Sequence, residues 1–444
     1  MSSEHNNGTI KNILRLVWPA FLTQVLISGC GMIDLVFAGK ISTQAIATIS
    51  ISNAVITPLF YFLEGIRTGT TVLTANYFGA QEKNNIAKIL RLSLFFAILI
   101  GLTLVILSPF ISKYIYIIFA CPDIPKELVE RFSLITLISI PFTLVVYAII
   151  GFFRGLQNTL IPLIITTIIC SINASFDFLL VTGNFGVPQM GIIGISLSTL
   201  ISYSTGAFIA LLFLIKHKLT KEYVFVKIKI RKLAREYLRL AAEIGFYTGM
   251  QTIAITFFIF IIKNLGSKTI AAYEITQQIY LLSFLPVYGF QPATSILIAK
   301  YLGSEQKKLI IPTTKKIIFL CLFSVITLNL ILTPIILKFF STSDPFILNL
   351  IKITTRIALI EQFFSIIGLL TKEALAGLKD TKFIDVTTIL TGYVFFMPLV
   401  YFVSVNLNFG LMGRYSTFAF WAALDSIIFS WRLFIDKKWL KYHV

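Results

Sequence analysis

The chain has 444 residues, of which 57% are hydrophobic and 13% charged, and its mean hydropathy is +0.87. Soluble domains carry about 25% charged residues, so a soluble multi-domain enzyme is excluded. Unbroken apolar runs also exclude a membrane β-barrel, whose segments alternate over about 10 residues. The net charge of +18 would raise nucleic acid as a partner for a soluble chain; here the cations serve first to orient the apolar runs.

Twelve apolar runs stand between polar punctuation, over residues 13–37, 45–77, 89–110, 131–151, 160–182, 192–215, 240–262, 270–298, 317–337, 347–371, 383–404 and 411–434. Each is long enough for a membrane helix of about 20 residues. The first carries Trp18-Pro19 and no small-residue cleavage site, so no cleavable signal peptide is expected. The second is too long for one straight span, and Pro58 and Gly65 are predicted places for it to bend. One extended connection, the Lys/Arg-rich segment 216–239, divides the chain into a lobe of six helices over 1–215 and a second over 240–444. The expected fold is an all-α polytopic membrane protein, with this segment as a basic cytoplasmic linker resting on anionic lipid.

With the N-terminus inside, 27 Lys and Arg fall in inside segments and nine, including Arg414, in outside segments. That bias places both termini in the cytoplasm.

The two halves repeat each other. Residues 41–79 align without gaps to 265–303, an offset of 224, setting Gly65 against Gly289. Gly155-Leu156-Gln157-Asn158-Thr159 matches Gly377-Leu378-Lys379-Asp380-Thr381 at an offset of 222, and Gly191-x-x-Gly194 matches Gly410-x-x-Gly413 at 219. An even number of spans per half makes these parallel repeats about an axis normal to the membrane.

Charges inside hydrocarbon cost about 2.5–3.5 kcal/mol each on insertion scales, so those that persist face a cavity or a partner. Asp34 lies near the outer end of the first span. Asp177 lies in the outer half of the fifth, with Asn173 one helical turn before it on the same face. Thr199 in the sixth span reaches the same level. Two carboxylates, a carboxamide and a hydroxyl suit either a proton or Na⁺, a hard cation that prefers oxygen ligands, at Asp34, Asn173 and Asp177. A bland reading stays open: Asp34 capping a helix end and Asn173 bonding a neighbouring helix. The repeat favours function, because the C-terminal counterpart of Asp34 is Phe258 and that of Asp177 falls in Phe395-Phe396-Met397-Pro398-Leu399. Glu361 and Glu274 are the secondary acids. Glu64 and Arg67, three apart, are expected to neutralise as a pair.

Cys30, Cys121, Cys170 and Cys321 are widely spaced and show no metal-ligand pattern, so small buried residues are the default reading. His5, His217 and His443 fall outside the runs, and no constellation for membrane-embedded catalysis is present, so the chain is not read as an enzyme.

Met32-Ile33-Asp34-Leu35-Val36-Phe37-Ala38-Gly39, Ala75-Asn76-Tyr77-Phe78-Gly79-Ala80 and Arg154-Gly155-Leu156-Gln157-Asn158-Thr159 resemble motifs of the multidrug and toxic compound extrusion (MATE) family, as do the paired Gly-x-x-Gly segments. Asp34, Asn173 and Asp177 look like the N-lobe proton or Na⁺ site of its prokaryotic DinF-like branch, and Thr199 matches the threonine closing the sixth-span motif. The resemblance implies twelve helices in two six-helix lobes and export of organic cations or amphipathic compounds in exchange for H⁺ or Na⁺. The expected partners are a small-molecule substrate and membrane lipid, with no nucleic acid, no cofactor beyond the coupling ion, and a monomeric chain in the bacterial inner membrane. Ala376 stands where the repeat would place an equivalent of Arg154, and Glu361 does not fall in the register of the C-lobe acid of the NorM-like branch. A flippase for a lipid-linked oligosaccharide or cell-wall precursor is the alternative, against which the scarcity of cations within spans (Arg67 and Arg356) counts.

Overall fold

The computed structural model describes residues 9–119, 124–216, 231–262, 267–339 and 345–443. Cys121 and most of the basic linker, residues 217–230, lie outside the described residues. The described chain is helical throughout: α1 (Ile10–Ile41), α2 (Thr43–Gly79), α3 (Lys83–Phe119), α4 (Lys126–Ile138), α5 (Ile140–Gly155), α6 (Leu160–Thr182) and α7 (Ile192–Lys216) are followed by α8 (Arg231–Ile262), α9 (Ser267–Phe284), α10 (Val287–Gly303), α11 (Ile310–Phe339), α12 (Pro345–Gly377), α13 (Thr381–Ile389), α14 (Met397–Tyr401) and α15 (Gly410–Ser430). Eleven stretches among the described residues are long and apolar enough to cross a membrane. With α8 they account for all twelve apolar runs.

Local chemistry sets the breaks. Ser42 alone separates α1 from α2, and its hydroxyl caps α2 by accepting from the Ala45 amide at 3.1 Å. Two spans are each built of two helices where a proline withdraws a backbone donor: α4 and α5 meet before Pro141, α9 and α10 at Pro286. The eleventh span widens into π-helical turns over Leu390–Phe396 and Phe402–Asn406. At the end of α6, Gly183 takes the left-handed conformation (φ 73°) and its amide bonds to the Leu179 carbonyl at 3.0 Å.

The internal repeat is written in the backbone. Left-handed non-glycine residues recur at matched places: Gln81 (φ 60°) with Glu305 (φ 59°), and Gln157 (φ 62°) with Lys379 (φ 60°). Each pair sits at the offset read from the sequence.

The chain forms two compact units, one Leu22–Gly245 and the other Met1–Phe21 together with Phe246–Val444. Their seams fall inside α1 and α8 rather than in the linker, and glycines show why. In the first unit α2 runs through Pro58 and Gly65 as one helix. A Cβ on Gly65 would collide with the Ala241 carbonyl and stand 2.7 Å from the Gly245 nitrogen. Gly65 therefore serves close helix packing where a bend was expected. In the second unit a Cβ on Gly289 would stand 2.9 Å from the Val17 carbonyl oxygen and from the Phe21 side chain. Val17 and Phe21 are Ala241 and Gly245 moved by 224 residues, so the opening turns of α1 and α8 pack in equivalent places.

Apolar packing holds each unit. In the first, Phe152, Phe153, Ile165 and Leu90 form one core, and Leu137, Leu144 and Ala148 another with Ile56. In the second, Ala272, Ile351 and Tyr415 form one, and Phe396, Val400 and Trp421 another.

Not every cation lies at a headgroup. Arg154, Lys372, Arg414 and Arg432 are all 6% exposed or less. Arg414, counted from the sequence as an outside-segment charge, is buried at the start of α15, because a long side chain there can turn back along the helix onto aromatic faces.

Candidate functional site

Three helices of the first unit bring the predicted polar residues together. On α6, Asn173 and Asp177 lie one turn apart on the buried face. On α1, Asp34 is a neighbour of both. One turn further along each helix the neighbours are apolar: Ala38 and Val181 pack with Ile192 and Ile195 of α7. The acids thus face each other beside a closed hydrophobic layer.

The third contributor is Ser198 of α7. It accepts from Asn173 Nδ2 at 3.2 Å and donates to Asp177 Oδ1 in a very short contact. Its hydroxyl also stands 2.8 Å from the Ile195 carbonyl, and a hydroxyl has one hydrogen to give. The Thr199 hydroxyl donates to Ile195 at 3.0 Å, so the group that reaches Asp177 belongs to the residue before it. The sequence did carry a signal for Ser198: Gly194, Ser198, Ser202 and Gly206 form a stripe of small residues every four positions. Such stripes let helices approach closely. A Cβ on Gly194 would lie 3.0 Å from Leu180, and one on Gly206 would press into Ile169.

The electrostatics are unbalanced. Asp177 is fully buried and Asn173 is 5% exposed. Asp34 Oδ1 and Asp177 Oδ2 are buried with no hydrogen-bond partner among the described residues. Ionised carboxylates only accept hydrogen bonds. Two neighbouring carboxylates repel when both are ionised, and a proton or a cation relieves that repulsion.

The second unit differs at the corresponding places. Phe396, in the stretch matching Asp177, stacks on Trp421 at 4.5 Å between centroids, with Phe418 edge-on. The side chain of Phe258, the counterpart of Asp34, lies outside the described residues. An aromatic cluster therefore stands where the first unit gathers acid and amide.

Glu361 of α12 is buried, with both carboxylate oxygens lacking a hydrogen bond among the described residues. Arg414 Nη1 lies 4.0 Å from its Oε2, and the guanidinium packs against Tyr415, Phe418 and Tyr273 at 4.3, 4.9 and 5.7 Å. Glu361 thus has a cationic neighbour that sequence spacing did not reveal. Glu274 is on α9, its side chain outside the described residues. Arg67 pairs with Glu64 on the same helix and lies over the Tyr147 ring at 5.2 Å, whereas Arg356 is exposed.

Comparison with known proteins agrees with this architecture. A protein from Thermotoga maritima described as "Probable multidrug resistance protein NorM" is 27% identical, with 97% of this chain and 93% of that protein aligned. A protein of the same description from Bacillus anthracis is 22% identical over 97% and 96% of the two chains. A solved structure described as an outward-facing multidrug resistance MATE family transporter of the MOP superfamily superposes with a TM-score of 0.84, at 17% identity over 97% of this chain and 96% of that one. These relatives are transporters, not enzymes, and they lend the flippase alternative no support. The MatE family profile matches residues 19–179 and 244–402, one match in each half and most of the chain between them, and on that ground the chain belongs to the MatE family.

Proposed function

We propose that the protein is a secondary antiporter that exports organic cations or other amphipathic compounds in exchange for H⁺ or Na⁺ by alternating access. It works in a bacterial inner membrane with both termini in the cytoplasm, as a monomer. The reading is supported by the names of its relatives and by the cation bias of its loops, and above all by one observation: Asp34 and Asp177 are neighbours, and each keeps a buried oxygen with no hydrogen-bond partner among the described residues.

In this reading the carboxylates alternate between two charge states. When both are ionised, repulsion across the pocket favours uptake of a proton or a sodium ion, which Asn173 and Ser198 assist with oxygens of their own. Ser198 registers the change. Its hydrogen goes to Asp177 when that group is a carboxylate, and is free to turn to the Ile195 carbonyl when the group is neutralised. The contact between α6 and α7 then differs between loaded and empty states. Only such a difference lets an ion gradient bias a conformational equilibrium. The arrangement is the one that resemblance to the DinF-like branch implies.

The test is transport in proteoliposomes with H⁺ and Na⁺ gradients imposed separately, using a fluorescent organic cation as substrate. Stimulation by one gradient is expected. Stimulation by neither refutes the antiporter reading.

A further inference from the structure

The two cysteines nearest the acid pair were read from the sequence as unrelated small residues. The structure brings them together. Cys30 and Asp34 are four residues apart on α1, and Cys170 is three residues before Asn173 on α6, so each thiol shares its face of the helix with a site residue. Cys170 Sγ stands 3.6 Å from the Leu26 carbonyl oxygen. Leu26 is one turn before Cys30, and a helical side chain leans back over the turn that precedes it. Cys30 is thus directed at the spot that Cys170 occupies. Both are free and half-buried.

We propose that Cys30 and Cys170 form an intramembrane dithiol that closes to a disulfide on exposure to hydroperoxide, tethering α1 to α6 one turn from Asp34 and two turns from Asp177. One sulfur attacks the peroxide O–O bond, giving a sulfenic acid and one molecule of water. The second thiol then displaces hydroxide from that sulfur; the S–S bond forms, a second water leaves, and the peroxide takes up the two electrons. Hydrogen peroxide is small and uncharged, so it needs no polar channel to reach a half-buried thiol. The covalent tether fixes the spacing of the two helices that carry the acids. Resting on the antiporter reading, we expect it to hold the site in one state and stop transport.

The experiment uses the full chain in proteoliposomes, with Cys121 and Cys321 replaced by serine so that only the pair remains. Peroxide treatment is followed by peptide mapping under non-reducing conditions, and transport is read in parallel. The expected result is a linked Cys30–Cys170 peptide pair lighter by two hydrogens, loss of most transport, and recovery of both with dithiothreitol. Cys30→Ser and Cys170→Ser chains keep their transport in peroxide. Two alkylatable thiols after peroxide, with no linked peptide, overturn the dithiol whatever the transport result. A linked peptide with undiminished transport overturns the lock. Because the peptide map does not depend on transport, failure of the dithiol and failure of the antiporter reading are told apart.

Discussion

Replacing Asp34 by asparagine keeps the shape of the side chain and removes one charge from the pocket. Two neighbouring carboxylates with charge centres about 4 Å apart repel by about 4 kcal/mol at an effective dielectric of about 20. Uptake of a proton or cation relieves that repulsion. Asp34→Asn removes the term, and by the same figure weakens ion binding by up to about a thousandfold. Folding should not suffer, since a like-charge contact is lost and the asparagine amide can donate to the Asp177 carboxylate. The expected phenotype is a chain that inserts normally, unfolds at an equal or higher temperature in detergent, and no longer exports a fluorescent cation when a gradient is applied. The assay is dye efflux from proteoliposomes at matched protein density, with calorimetric titration of the ion as a second readout. Wild-type efflux and wild-type ion affinity in Asp34→Asn would refute the role assigned to the pair.

Ser198→Ala leaves Asp177 without its donor and Asn173 without its acceptor; a loss of about 1–3 kcal/mol is expected, read as a shift in the ion dependence of transport, whereas Thr199→Ala should shift it less. Arg414→Met strands Glu361 as a buried uncompensated charge and should destabilise the chain by about 3–5 kcal/mol. The double change Glu361→Gln with Arg414→Met should restore part of that, measured by thermal unfolding in detergent; a double no better than the single would mean the two do not interact. Gly65→Val forces a side chain into the Ala241 carbonyl and should cost about 1–3 kcal/mol or more, seen as lower yield and earlier unfolding. Gly186→Ala, at a glycine with open space around its Cβ position, is the control for backbone strain without a clash.

What the sequence made legible follows from what membrane burial costs. Apolar runs mark spans because hydrocarbon admits little else, and Asp34 and Asp177 stood out because an acid there needs a reason. The repeat was readable at Gly65 and Gly289, whose matched close packing now gives the alignment a cause. Ser198 escaped notice because a hydroxyl in a helix normally satisfies itself on its own backbone, as Thr199 does. Arg414 was misplaced because one position near a helix end decides between a headgroup and a buried aromatic face, and hydropathy does not resolve single positions. The Arg432–Asp380 pair, at 2.7 Å, joins residues 52 apart in sequence, and no local pattern announces it.

The seams at Phe21 and Gly245 bear on how such a chain arises. If each half descends from one copy of a duplicated segment, a copy alone does not complete a unit: the opening turns of its first helix pack in the unit built by the other copy. A copy on its own could complete its unit by pairing with a second copy through reciprocally exchanged helix ends, as in a domain-swapped pair. Half-chains cut within the linker and produced together should therefore assemble only as partners, each completing the other.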